Sequence, residues 1–186
     1  MPFRIAIIGA GWYGCHIGLA LQSLGMDVEI FDKAHRPFHL ASGNNQFRLH
    51  QGFHYARHHG TRMQSRDGFI RFMERYPTLS ADVAENIYAV PNESSLMDFN
   101  TYKLIMVSSG LNFVELPPGG DLLTNVEGMV HTHERVILID RARRYFGERL
   151  RNVLRFNTPV EQITEVGSGV LVNGRRYDYA IDATWG

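Results

Sequence analysis

Two groups of residues in this chain have the types and spacing to do chemistry. The first is Gly9-Ala-Gly-Trp-Tyr-Gly14, with an acid, Asp32, eighteen residues further on. Glycines at this spacing let a strand turn sharply at Gly9, let the backbone approach a bound pyrophosphate at Gly11, and let a helix pack tightly on a sheet at Gly14. The N–H groups at the start of that helix then face the phosphates, where the helix dipole also favours negative charge. Asp32 is placed to accept hydrogen bonds from a ribose diol. The second group is Arg48, His50, Gln51, His54, Tyr55 and Arg57. A guanidinium at 48 or 57 suits a substrate carboxylate, which it can grip through two parallel hydrogen bonds. His50 or His54 suits proton transfer near neutral pH. A surface loop of solvated or backbone-bonded histidines has the same composition, and that alternative stays open.

These residues need strands and helices to hold them. Ile5-Ala-Ile-Ile8 is an apolar run before the first glycine, and Val28-Glu-Ile-Phe-Asp32 is a second one ending in the acid. Between them Ile17, Ala20, Leu21 and Leu24 recur at i, i+3, i+4 and i+7, which predicts a helix with one apolar stripe, stopped by Gly25. Strand, glycine turn, helix and strand in this order have the build of a dinucleotide-binding βαβ unit. The context carries the motif, because glycine-rich turns alone are common in loops. Cys15 sits in the first helical turn, where the dipole can lower a thiol pKa, but a small residue there also serves packing.

Composition sets outer limits. The 186 residues are 44% hydrophobic and 20% charged, enough for one substantial core and a small second lobe. Nineteen Lys and Arg balance nineteen Asp and Glu, so no global field draws the chain to nucleic acid or to an anionic membrane. A single cysteine excludes an internal disulfide and fits a reducing cytoplasm. Arg4 before an apolar run resembles a signal peptide, yet the glycines at dinucleotide spacing argue for folded structure. No run of about twenty apolar residues predicts a transmembrane helix. His54, His58 and His59, and His131 with His133, lack a Cys or Glu partner at ligand spacing, so no metal site is expected.

From Lys33 to about Gly60 the chain is polar and rich in His, Asn and Gly, but Phe38, Phe47, Phe53 and Tyr55 argue against disorder. Thr61 with Gln64 reads as a capping box, and Phe69, Phe72, Met73 and Tyr76 form the apolar face of a helix ending before Pro77. Residues 84–136 read as a separate α+β piece. It holds a strand at Ile87–Val90, a helix capped by Ser95 with Asp98 and buried through Phe99, Tyr102 and Met106, a loop at Pro117–Gly120, and β-rich runs at Val126–His131 and Arg135–Ile139. Asp140 starts a helix with Ala142, Phe146 and Leu150 inward. Strands follow at Val153–Phe156, Val160–Glu165 and Gly169–Val172, with an Asn173-Gly174 hairpin turn, and the chain closes on Tyr179-Ala-Ile-Asp-Ala-Thr-Trp-Gly186.

The glycine motif with Gly18, Asp32, Ala41-Ser-Gly-Asn-Asn45, Thr158-Pro-Val160 and Asp182-Ala-Thr-Trp-Gly186 stand in an order that resembles FAD-dependent oxidoreductases of the D-amino-acid oxidase, glycine oxidase and sarcosine oxidase superfamily. The resemblance implies FAD as cofactor, held by Gly9, Gly11, Trp12, Tyr13, Gly14, Asp32 and Lys33. It further implies that Ser42, Gly43, Asn44 and Asn45 line the phosphate and ribityl end, Val160 holds adenine, and Ala183, Thr184 and Gly186 pass near the pyrophosphate. The segment holding Arg48, His50, His54 and Tyr55, the catalytic candidates, would then lie near the flavin, with a histidine orienting the flavin, moving a proton or linking to it covalently. The implied architecture is α/β, a Rossmann-like FAD-binding βαβ sheet with an inserted α+β substrate-lobe segment. Residues 1–83 and 137–186 would form the FAD-binding domain and 84–136 part of the substrate lobe. The implied activity is oxidation of an amine, amino acid or related small metabolite by hydride transfer to the flavin. A flavin hydroxylase, a mutase-type enzyme and a dinucleotide-binding module without turnover are the alternatives. Members of the superfamily continue beyond the equivalent of Gly186, so the resemblance implies an amino-terminal portion of a larger enzyme, with an exposed sheet edge at which self-association is plausible.

Overall fold

The computed structural model describes residues 2–117 and 123–185. Its helices are α1 (Trp12–Ser23), α2 (His59–Arg75), α3 (Phe99–Ser108) and α4 (Ile139–Arg149) among the described residues. The chain divides into two compact units, Met1–Phe47 with Ile139–Gly186 and Arg48–Leu138.

The first unit is built on the expected βαβ opening. Strand Arg4–Ile8 pairs in parallel with Asp27–Phe31 on one side and Tyr179–Asp182 on the other, and Leu154–Arg155 extends the sheet beyond Asp27–Phe31. Segments from both ends of the chain thus share one parallel sheet. Helix α1 is most deeply buried at Gly14, Cys15 and Gly18, while of the predicted stripe Ile17, Ala20 and Leu21 are half-buried and Leu24 is 70% exposed. The reason is distance, since a Cβ at Gly18 would lie 2.5 Å from Ile30 Cδ1 and one at Gly14 only 1.8 Å from the Gly9 carbonyl oxygen. Small residues are what this close face admits. Gly25, at φ +78°, ends α1, with Met26 N–H closing back on Leu21 O at 3.1 Å. Ala142 and Phe146 on α4, and Leu150 just past its end, are fully buried, as their spacing predicts. A three-stranded antiparallel sheet follows, Ile163–Val166, Gly169–Val172 and Arg175–Tyr177, whose second turn is Asn173-Gly174 with both residues at positive φ. The predicted strand start at Val160 moves to Ile163 because the Asn173 side chain, not a strand ladder, engages Pro159 O and the N–H groups of Glu161 and Gln162.

The second unit contains two three-stranded antiparallel sheets, one of Arg48–Leu49, Arg135–Ile137 and Ser80–Asp82, the other of Ile87–Pro91, Val126–His131 and Val114–Leu116. Phe99, Tyr102 and Met106 of α3 are buried with Phe53, Val90, Leu111 and Val130. Gly128 gives the Phe99 ring its room, for a Cβ there would meet ring carbons at 2.1–2.5 Å. The unit begins at Arg48, whereas the sequence reading starts the second lobe at 84. Residues 48–83 belong here because Arg48–Leu49 pairs with Arg135–Val136, and because the buried Arg62 guanidinium on α2 donates to Tyr55 O, Ala56 O and Ser109 Oγ. Two helix caps also move. His58, not Thr61, caps α2 through Nδ1, and Asp98, not Ser95, caps α3 by accepting from Thr101 N–H. Residues 118–120 of the expected Pro117–Gly120 loop lie outside the described residues. No described helix is long and apolar enough to cross a membrane.

Candidate functional site

In the first unit the glycine turn makes a cradle. Gly9 takes φ +101°, a conformation only glycine enters at low cost, and donates its N–H to Phe31 O at 2.7 Å. Gly11 is the N-cap of α1, has no side chain to cap with, and no acid occupies the first turn. A helix start of this kind leaves first-turn N–H groups other than that of Trp12, and its positive dipole end, for an anion. A Cβ at Gly9 would lie 3.0 Å from Ala183 O, and one at Gly11 3.1 Å from Ser42 Oγ. Ser42 and Ala183, distant in sequence, therefore both border the turn, and Trp12 donates its N–H to Ser42 Oγ at 3.0 Å.

Asp32 stands at the end of the second strand and is tied to the turn itself. Its Oδ2 accepts from Ala10 N–H and its Oδ1 from Ala34 N–H, both at 2.7 Å. Each carboxylate oxygen keeps a second lone pair, so the acid can anchor the turn and still receive a diol. Thr158 N–H donates to Asp32 O at 2.9 Å, which brings the Thr158-Pro-Val160 segment beside the acid, with Val160 packed against Ala6, Phe31, Val172 and Tyr177. At the far end Ala183 N–H bonds Ile8 O, and Thr184 caps Asp182 through its N–H and hydroxyl at 2.9 and 2.6 Å, which hold that carboxyl below its ordinary value.

Other expected cofactor residues take structural duties. Trp12 packs its ring on Phe38 and Phe146 at 5.3 and 5.6 Å. Asn44 and Asn45 spend their amides on the carbonyls of His39, Leu40 and Ala41, shaping the Ala41–Gly43 turn. Tyr13 and Lys33 are exposed, and Gly186 lies outside the described residues. Arg143, a residue the sequence reading does not single out, steadies the same turn by donating from Nη2 to Phe38 O at 3.1 Å and Gly43 O at 3.5 Å. Burial, with the Asp32 charge adding to it, pushes the Cys15 thiol up to about 12, so this cysteine packs and does not react.

In the second unit the candidate segment divides. Arg48, His50 and Gln51 converge on Glu134, a carboxylate that is 1% exposed. His50 Nδ1 is 3.2 Å from Oε2, Gln51 N–H donates to Oε1 at 2.7 Å, the Tyr88 hydroxyl donates to Oε2 at 2.7 Å, and Arg48 Nη2 is 3.9 Å from Oε2 while also bonding Asn86 Oδ1. Burial pushes the Glu134 carboxyl up, and the bonds from His50, Tyr88 and Gln51 outweigh it, holding the group below its ordinary value. The Tyr88 phenol is raised by the same burial and by its bond to that carboxylate. His54 stacks on His50 with centroids 5.9 Å apart, and Tyr55 meets both rings edge-on. His54, Tyr55 and Arg57 line a cleft of about 480 Å³ with Ala89–Pro91, Ser94–Met97 and Tyr102. Glu134, Asn86 and Tyr88 escape a reading of the sequence because their partners lie 38 to 84 residues away. The one local signal is a lone acid between two β-rich runs. Among the described residues no group of three or more His, Cys, Asp and Glu could hold a metal ion.

Residues 4–185 match a family model described as FAD dependent oxidoreductase. The chain is 55% identical over 185 residues to a FAD-dependent monooxygenase of Fusarium mangiferae, covering 100% of this chain and 50% of that one. It is 30% identical over 198 residues to a FAD-dependent monooxygenase of Aspergillus flavus, covering 97% and 45%. The chain therefore spans about half the length of the curated relatives it matches. Among solved structures it superposes on the L-α-glycerophosphate oxidase of Mycoplasma pneumoniae, determined with FAD bound, at a TM-score of 0.74 and 16% identity, over 96% of this chain and 52% of the other. The L-amino acid deaminase of Proteus myxofaciens gives 0.71 at 15%, over 98% and 45%. At such identities the likeness establishes a shared FAD-binding, Rossmann-like fold.

Proposed function

The chain belongs to the FAD dependent oxidoreductase family, and from that premise we propose that it is the FAD-holding part of an enzyme that oxidises a small metabolite carrying an amine or hydroxyl group. The observation that carries the reading is the cradle: a helix start at Gly11 with no capping side chain of its own, bordered by Ser42 and Ala183, with Asp32 tied to Ala10. Its side chains are either absent or turned to support the backbone, which suits a pyrophosphate seated on N–H groups.

In this reading Gly9, Gly11, Gly14 and Ser42 receive the pyrophosphate, Asp32 the ribose, and the Val160 segment the adenine. Bound FAD would accept a hydride from a C–H bond next to the amine or hydroxyl. The chain's own residues would bind, orient and move protons: Arg48 or Arg57 for a substrate anion, His50 for a proton. The cleft beside His54, Tyr55 and Arg57 has the volume of a small-molecule site.

The names of the two curated relatives support a second reading, in which the same cofactor serves oxygen insertion. The test is the visible absorption of the purified chain titrated with FAD. A perturbed, saturable flavin spectrum is expected, and failure to bind FAD would overturn the cofactor reading for this segment. With candidate amines and alcohols, bleaching of the bound flavin without NADPH supports the oxidase reading. Bleaching that requires NADPH supports the monooxygenase.

A further inference from the structure

Five groups surround the Glu134 carboxylate, and among them His50 meets it through one ring nitrogen and keeps a second of a different kind. Gln51 N–H and the Tyr88 hydroxyl are consumed by the carboxylate, while Arg48 and Asn86 bond each other beside it, with Asn86 also donating to Thr132 Oγ1 at 2.6 Å. His50 meets Oε2 through Nδ1, and its side chain remains 28% exposed against 1% for Glu134. An ionised carboxylate has no proton to give, so Nδ1 can bond it only as an N–H donor. In the neutral ring this leaves the lone pair on Nε2.

We propose that Glu134 is the positioning residue for His50, fixing the Nδ1–H tautomer so that Nε2 stands as the proton acceptor for a substrate hydroxyl or amine. The role rests on the oxidase reading above. The proton of the substrate O–H or N–H bond passes to Nε2, and the electrons of that bond stay on the heteroatom. Bound FAD would supply the acceptor for the hydride of the neighbouring C–H bond, and the heteroatom's electrons would then form its double bond to carbon. The imidazolium so formed is balanced by the carboxylate behind it. The other titratable or charged groups facing the ring are Arg48, His54, Tyr55 and Tyr88. Burying a carboxylate among this many donors is costly for fold alone, since a well-packed apolar residue often serves as well.

The test is a long-range ¹H–¹⁵N correlation spectrum of the labelled 186-residue chain, with His50 assigned by its loss in His50→Gln. The expected wild-type result is a proton on Nδ1 and a bare Nε2 in the neutral ring. In Glu134→Gln, checked for folding by circular dichroism, the single tautomer should become a mixture, because a carboxamide serves Nδ1 as acceptor or donor. Glu134→Asp should retain the single form. A wild-type proton on Nε2, or a Glu134→Gln spectrum in which His50 is unchanged, overturns the proposal, and the wild-type measurement stands even if the variant fails to fold. The flavin titration is read separately. FAD binding without a fixed tautomer sinks this role and spares the cofactor reading, whereas a fixed tautomer in a chain that binds no FAD keeps the pairing and overturns the proton transfer.

Discussion

Asp32 does two things with one carboxylate. It accepts N–H groups from Ala10 in the glycine turn and from Ala34 beyond the strand, so its loss should loosen the cradle as well as remove the proposed ribose contact. Hydrogen bonds to a charged group contribute roughly 1.5–3 kcal/mol. Asp32→Ala is therefore expected to weaken FAD binding roughly 10- to 100-fold, measured by titration of flavin absorbance. Glu29 makes a purely structural contrast. Burial pushes its carboxyl up, but the Tyr177 hydroxyl at 2.6 Å and the charges of Arg175 and Arg155 outweigh that and hold it below the ordinary value of 4.5. A carboxyl lowered in the folded chain stabilises it above its unfolded pKa, and that contribution disappears as pH falls through the folded value. Glu29→Gln should thus cost on the order of 2 kcal/mol near neutral pH. The gap from wild type should close as pH drops below 4.5, read from denaturant midpoints across that range.

Helix α1 shows what pattern reading catches and what it misses. Its existence, its start at the glycine turn and its stop at Gly25 are written in local types, and so are the inward faces of α3 and α4. Its most buried positions are not, because apolar periodicity ranks Leu24 above Gly18, while a Cβ at Gly18 would already lie 2.5 Å from Ile30 Cδ1. Gly18→Ala should cost about 1–3 kcal/mol, since Ile30 Cδ1 can turn aside, and should leave FAD binding in place. Gly14→Ala confronts the Gly9 carbonyl at 1.8 Å, a backbone atom with nowhere to go. It should abolish binding, and titration of the two variants side by side distinguishes them. The shifted caps of α2 and α3 have a similar cause. Ser95 and Thr61 carry suitable hydroxyls, but tertiary packing starts each helix at another residue whose side chain also reaches an N–H. The network around Glu134 is illegible for a different reason: its members are paired by the register of strands that the sequence does not join.

At the scale of the molecule, each unit has its own core, one under α1 and α4 and one around Phe53, Phe99 and Met106. The residues proposed to hold FAD fall in the first and the Glu134 network in the second. A ligand that binds only the folded state adds about 2.7 kcal/mol at one hundred times its Kd. FAD at that excess should raise the thermal midpoint on the order of 5–10 °C for a chain of this size, followed by far-ultraviolet circular dichroism. No shift would contradict the cradle.

The place where the second unit leaves the first has a further consequence. Arg48 is paired with Val136 and Leu49 with Arg135, so the entry and exit of a segment some ninety residues long sit on adjacent strands, a few ångströms apart. An insert with neighbouring ends behaves as a cassette. Such a segment can be lengthened or trimmed at these neighbouring ends without altering the register of the parallel sheet formed by the first unit.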